Sequence, residues 1–254
     1  IQPASGDSGG ALGAAYLTWY DHLENPYHPK SISLDQIAYL GNGYNEKSVE
    51  EILHKWKCNY SIIKKDLLDA VTNLLMDKKV IGWFQGRMEF GPRALGNRSI
   101  LAGAQFEDMK KHVNLKIKKR EGFRPFAPIV LDELKEDWFE GEVDQYMCYV
   151  NKAKKREKIP SCVHEDYTAR VQSVSKDSNQ KLHRLLQVYY RKSGIPILIN
   201  TSFNERGEPI VESPEDAINC FFNTDMDVLV LGDFMLTKEE NTHINTNETT
   251  YALD

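Results

Sequence analysis

The chain has 254 residues, 41% of them hydrophobic and 27% charged, with a formal net charge of −5. That is enough chain to bury a sizeable core in one large domain or two small ones, and the balance excludes wholesale disorder. No apolar run approaches the roughly 20 residues that span a bilayer, and the acidic balance argues against a general nucleic-acid binder, so any affinity for phosphate has to be local.

The N-terminal run Ile1–Gly10 is glycine-rich and lacks an initiator Met, which predicts a piece of a longer protein. A small-residue helix is expected over Gly10–Leu17, and the Pro-, Asn- and Gly-rich stretch 21–45 reads as a connector. From Lys65 the pattern changes: Leu67, Leu68, Val71, Leu74 and Leu75 recur at helical spacing, followed by a strand at Val80–Phe84. A second helix is predicted over 106–117, with Phe106, Met109, Val113 and Ile117 on one face and lysines on the other. Phe126–Leu131 reads as a strand and the lysine-rich stretch 151–161 as a solvated loop. A helix over 180–191 leads into a buried strand at Ile195–Ile199, and Ser213-Pro214-Glu215-Asp216 has the spacing of a capping box that opens a helix. Val228–Leu231 is the last clear strand, and the polar tail 239–254 is expected to be frayed. Alternating strands and helices between about 65 and 236 predict an α/β (α+β) sheet domain. The four cysteines, Cys58, Cys148, Cys162 and Cys220, form no CxxC pair and read as buried or incidental thiols of a reducing cytoplasm.

Three segments concentrate the chemistry. Residues 86–99 carry three arginines (Arg87, Arg93, Arg98) and three glycines in fourteen positions just after a strand. Glycine lets a ligand approach the backbone and arginine offers a planar fork for phosphate oxygens. A second basic cluster, Lys116, Lys118, Lys119, Arg120 and Arg124, precedes the strand at 126–131. On a helix Lys116, Lys119 and Arg120 share a face, and a charged face is usually only solvated. Arg124, directly before a buried strand, fits an anion held at a sheet end. The third segment, 200–207, follows the strand 195–199 with small hydroxyl and amide groups, Ser202 and Asn204 among them, suited to phosphate or to the water shell of magnesium. His164 with Asp166 reads as a loop hydrogen-bond pair rather than a metal site. No catalytic triad order, HExxH or Walker loop is readable. Residue chemistry alone stops at a phosphorylated small molecule bound by several arginines.

The segments GRMEFGPRALGNRSI (86–100), IKKREGFRPFAP (117–128), HEDYTARVQ (164–172) and NTSFNERGEP (200–209) resemble, in order, the NodU-type carbamoyltransferase family of nodulation and antibiotic O-carbamoyltransferases. The resemblance implies a YrdC-like domain over 46–238, a twisted mixed sheet flanked by helices. It would make carbamoyl adenylate from carbamoyl phosphate and ATP with Mg2+. Residues 1–45 would be the end of an actin-like transfer domain, otherwise absent, that passes the carbamoyl group to a hydroxyl of a small-molecule acceptor and can hold a divalent metal such as iron. Carried over residue by residue, Arg93, Lys118 and Ser202 are implied as catalytic, and Arg87, Arg98, Arg120, Arg124, Arg170 and Asn204 as substrate and nucleotide contacts. Asp7 is implied as a metal ligand whose partners lie outside this chain. Tyr167 stands where the family often has glycine, so the shape of that loop is left open. A cytoplasmic enzyme without nucleic-acid or membrane partners follows from the resemblance. The alternatives are a catalytically silent nucleotide-binding module and a YrdC-like RNA-associated protein, the latter disfavoured by net acidity and the lack of interleaved aromatics around 110–124.

Overall fold

Unbroken apolar runs demand a sheet covered on both faces, and they build its middle. The computed structural model describes residues 4, 6–27 and 37–244, so residues 28–36 of the expected connector and 245–254 of the expected tail lie outside the described residues. The helices are α1 (Asp7–Tyr16), α2 (Glu46–Lys55), α3 (Leu67–Met76), α4 (Met109–His112), α5 (Lys135–Trp138), α6 (Gln180–Ser193) and α7 (Pro214–Phe222). The strands are β1 (Ser61–Ile62), β2 (Ile81–Phe84), β3 (Arg98–Gly103), β4 (Ala127–Leu131), β5 (Asn151–Lys152), β6 (Thr168–Ala169), β7 (Gln172–Val174), β8 (Ile197–Ser202), β9 (Val228–Leu231) and β10 (Phe234–Thr237). Eight of them form one sheet in the order β1-β10-β9-β2-β3-β8-β4-β7. It is mixed: β2 runs parallel to β9 and β4 to β7, and the other pairings are antiparallel. The protein is thus an α/β protein with a mixed sheet flanked by helices.

Strand alternation divides the core in two. Ile81, Trp83, Leu101, Ile129, Leu198 and Val230 point to one face, where α3 and α6 cover them. Phe84, Ile100, Val130, Ile199, Leu229 and Leu231 point to the other, against α2, α7 and the segment 109–117. The capping box forms: Ser213 Oγ accepts from the Asp216 backbone, Asp216 accepts in return, and Pro214 takes the first helical position, a device worth about 1 kcal/mol. On α6, Asn179 caps the start and Gly194 (φ +71°) closes the end in the left-handed region.

Several expectations are corrected. The helix predicted over 106–117 is only four residues of α-helix followed by a π-turn, Val113–Ile117, in which the Lys118 N–H reaches the Val113 carbonyl at 2.9 Å. At Lys119 the backbone swings to φ +46°, so Lys116, Lys119 and Arg120 do not share a helical face. Stretch 151–161 is not simply solvated: its lysines face out, but Ile159 and Ser161 are fully buried, and Ser161 Oγ donates to the Phe106 carbonyl at 2.5 Å. The tail begins as a docked segment, with the Asn241 side chain accepting from Asn59 N (2.7 Å) and donating to the Asn59 carbonyl (2.9 Å). β3, wholly buried at the sheet centre, and β10 went unpredicted; in β3 the leading Arg98 and Ser99 mask the apolar Ile100-Leu101-Ala102. Cys58, Cys162 and Cys220 are buried, Cys148 is exposed, and all four are free thiols. Among the described residues no helix is long and apolar enough to cross a membrane.

Candidate functional site

β8 ends at Ser202, and β4 begins just after Arg124; between these two strand ends lies a cavity of about 270 Å³. It is lined by Lys118, Arg120, Glu121, Arg124, Ser202, Asn204, Glu205, Arg206 and Gly207. Five of the residues nominated from the sequence therefore meet here: Lys118, Arg120, Arg124, Ser202 and Asn204. The π-turn delivers Lys118 inward, where it is buried and its Nζ donates to Ser202 O (2.9 Å), Ser202 Oγ (3.1 Å), Asn204 O (2.9 Å) and Asn204 Oδ1. Burial, and then the neighbouring Arg120 charge, pull its pKa down to about 7. Burial followed by the Arg124 charge likewise lowers Arg120, whose guanidinium lies 4.9 Å from the Phe126 ring centroid. Arg124 pairs with Glu121 at 2.9 Å, and Lys119 with the buried Glu205 at 2.6 Å.

The glycine-rich motif is built differently. Glu89, a buried carboxylate, accepts through Oε1 from the backbone of Leu95 (2.7 Å), Asn97 (2.7 Å) and Arg98 (3.2 Å), folding the loop around itself. Burial pushes its carboxyl upward against those three donors. Gly96 (φ +106°) is required here, because a Cβ would stand 2.2 Å from Leu182 Cδ2. Arg98, expected as a phosphate contact, is instead fully buried over the Phe84 ring, 3.5 Å from its centroid. Its Nε donates to Glu212 O, Nη1 to the carbonyls of Gln85, Gly86 and Asn97, and Nη2 to those of Asn42 and Gly86. No N–H group is left to turn to a ligand, so Arg98 is a structural residue. Arg87 is similarly engaged, donating to Gly41 O (2.9 Å) and Leu40 O (2.7 Å). Those carbonyls belong to the expected connector, whose residues 38–42 pair with 88–90 through Gly41–Met88, Met88–Asn42 and Phe90–Ala38 backbone bonds.

Arg93, Arg170 and Asp7 are outside the first cavity. Arg93 and Asp7 line a second one of about 340 Å³, with Tyr146, Met147 and Cys148. Burial, and then the Arg93 charge, lower the pKa of Arg170, so these two cations sense each other; Arg170 Nε is buried without a hydrogen-bond partner. His164 and Asp166 do not form the expected side-chain pair: Asp166 accepts from Thr168 N (3.0 Å) and Thr168 Oγ1 (2.7 Å). Tyr167 adopts φ +68°, the left-handed turn that glycine takes freely, with the Arg156 guanidinium 3.4 Å from its ring centroid.

Sequence reasoning missed Glu89, Glu205 and Asn114. Glu89 sat inside the quoted motif without a role, and only its carboxylate-to-backbone bonds reveal one. Asn114 is a buried amide in a helical segment read only for its apolar face. Among the described residues no group of three or more His, Cys, Asp or Glu is placed to hold a metal. The oxygens expected to serve magnesium, Ser202 Oγ and Asn204 Oδ1, face the Lys118 ammonium, a poor seat for a second cation.

The Carbamoyltransferase C-terminus family matches residues 72–238. The chain is 38% identical over 245 residues to nodulation protein NolO of Bradyrhizobium diazoefficiens, covering 94% of this chain and 44% of that protein. It is 31% identical over 236 residues to a 3'-hydroxymethylcephem-O-carbamoyltransferase of Streptomyces clavuligerus, covering 92% and 42%. An uncharacterized Synechocystis protein is 40% identical over 266 residues, covering 94% and 43%. The chain thus spans less than half the length of these curated relatives. Among solved structures, full-length HypF in a phosphate- and nucleotide-bound form superposes with a TM-score of 0.49 at 16% identity, over 68% of this chain and 22% of that one.

Proposed function

Because this chain belongs to the carbamoyltransferase C-terminus family, we propose that the cavity beside β8 binds carbamoyl phosphate and ATP and makes carbamoyl adenylate, the donor for transfer to a hydroxyl acceptor. The observation that carries this reading is the convergence of Lys118, Arg120, Arg124 and Arg206 on Ser202 and Asn204, four cations against the two carboxylates Glu121 and Glu205. Such an excess of charge around the pocket suits phosphoryl chemistry, where positioning and electrostatic stabilisation do most of the work. The Streptomyces relative, named as a carbamoyltransferase acting on oxygen, supports a hydroxyl acceptor.

The reaction divides into two balanced steps. Water cleaves carbamoyl phosphate to carbamate and phosphate, releasing a proton. A carbamate oxygen then bonds to the α-phosphorus of ATP as the bond to the bridging oxygen breaks, and that electron pair leaves with pyrophosphate. The arginine forks neutralise the charge gathered on the phosphoryl oxygens, Lys118 holds Ser202 and Asn204 in place, and Ser202 Oγ can donate once a phosphate displaces it from Asn204 Oδ1. Magnesium, for which the described residues offer no formed seat, is expected to arrive chelated by the nucleotide. Arg93 and Arg170 lie outside this cavity and take no step in this scheme.

Carbamoyl phosphate-dependent exchange of labelled pyrophosphate into ATP tests the proposal. Exchange by this chain, falling by about tenfold or more in Arg124→Ala as a lost charged hydrogen bond predicts, is the expected result. Nucleotide binding without exchange would favour a silent binding module and overturn adenylate formation by this chain.

A further inference from the structure

The reading of the cavity leaves Asn114 without a role, although its environment is unusual. It is fully buried within the π-turn, and its side chain turns away from the helix backbone toward the loop that follows. Nδ2 donates to the Arg124 carbonyl at 2.7 Å and, more weakly, to the Gly122 carbonyl at 3.5 Å. Oδ1 accepts from Arg120 Nε at 2.6 Å. Its backbone carbonyl accepts from the Arg120 N–H at 3.0 Å. One amide therefore holds both Arg120 and Arg124, the two arginines that line the cavity on this loop.

The geometry has a chemical consequence. With Nε taken by Asn114 and the guanidinium plane resting near Phe126, the terminal nitrogens of Arg120 have no protein partner among the described residues. They form a preset fork, and a fixed fork loses little rotamer freedom when it meets two oxygens of one phosphoryl group. The loop backbone has no strand or helix ladder of its own between Lys118 and Ala127, and while Arg124 is also held by Glu121, the Arg120 guanidinium has Asn114 Oδ1 as its one side-chain hydrogen bond among the described residues. Shortening Asn114 would leave the Arg120 guanidinium in place chemically but free to wander.

We propose that Asn114 is a positioning residue: with its own amide anchored on the Arg124 carbonyl, it grips Arg120 Nε and presets that guanidinium as a fork for two oxygens of one phosphoryl group. The proposal rests on the reading of this cavity as a phosphoryl site.

Calorimetric titration of the chain with inorganic pyrophosphate and with Mg·ATP, alongside inorganic phosphate, tests it. Asn114→Ala is expected to weaken pyrophosphate and inorganic phosphate alike, each about tenfold. The decisive readout is a double-mutant cycle. If Asn114 acts through Arg120, then Asn114→Ala combined with Arg120→Ala binds pyrophosphate within about twofold of Arg120→Ala alone, whereas additive losses would overturn the inference. Thermal unfolding of each variant identifies one that fails to fold. In that event Asn114→Ser, which keeps a polar side chain too short to reach Arg120 Nε, is cycled with Arg120→Ala, and additivity there overturns the inference equally. If the unsubstituted chain binds neither pyrophosphate nor Mg·ATP, the reading of the cavity fails and the inference with it. Tight binding by the unsubstituted chain and by Asn114→Ala alike would overturn the inference alone.

Discussion

The glycine-rich motif at 86–98 and the basic loop at 118–124 look alike in sequence, each a short run dense in cationic residues, yet the fold uses them in opposite ways. In the first, Arg87 and Arg98 end on backbone carbonyls, and the loop is wound around the buried Glu89 carboxylate. In the second, the Arg120 guanidinium is held through Nε by Asn114 and that of Arg124 through Nε by Glu121, and their terminal nitrogens line a cavity. The difference teaches that density of arginine does not mark an anion site. What decides is whether the surrounding carbonyls use up the guanidinium or leave part of it facing open space. Arg98 supplies the side-chain donor to the buried Gln85 carbonyl and shares the Asn97 and Asn42 carbonyls with the Gln85 and Met88 N–H groups, and such a duty is as demanding as ligand binding.

Substitution should separate the two regions sharply. The largest effect is expected from Arg98→Ala, which leaves the buried Gln85 carbonyl without its side-chain donor and removes the guanidinium packed over Phe84, and should cost about 3–5 kcal/mol by urea unfolding; a loss below about 1 kcal/mol would show that Arg98 is not the structural residue described here. Lys118 should give a pH signature. Its pKa of about 7 in the folded chain lies below the usual lysine value of 10.5, so between those limits the unfolded chain binds more protons. The stability contributed by this group therefore rises with pH across that window, at up to about 1.4 kcal/mol per unit, and Lys118→Met should abolish the slope in denaturant titrations at stepped pH. Arg124→Ala should do the reverse of Arg98→Ala, shifting unfolding free energy by less than about 0.5 kcal/mol while abolishing most pyrophosphate exchange. The smallest effect belongs to a third arginine setting: Tyr167→Gly relieves a left-handed backbone but loses the Arg156 stack, two terms of about 1 kcal/mol with opposite sign, so the melting temperature should barely move.

Several elements were legible because a local rule decides them. The buried runs of β2, β4, β8 and β9, the period of α3 and α6, and the Ser213–Asp216 capping box each depend on neighbours within a few residues. The missed elements lacked such a rule. β3 opens on Arg98 and Ser99, polar residues that only the fold can bury, and the π-turn at Val113–Ile117 has apolar spacing that an ordinary helix fits as well. At the site, the five nominated residues that meet, Lys118, Arg120, Arg124, Ser202 and Asn204, come from two segments roughly eighty residues apart; motif chemistry pointed to each segment, but their meeting depends on β4 and β8 pairing side by side.

By itself the sequence determined the α/β class, the buried runs of β2, β4, β8 and β9, the Ser213 cap and which segments are dense in cations and small polar groups, because these follow from periodicity, capping and side-chain chemistry. Only the tertiary structure decided which cations face a cavity. Arg98 and Arg124 have the same side chain, but one lies beneath a ring of carbonyls at the start of β3 and the other at the mouth of a cavity. No local rule carries that distinction, since the carbonyls that claim Arg98 come from Asn42, Gln85 and Glu212, segments brought together only when the chain closes on itself.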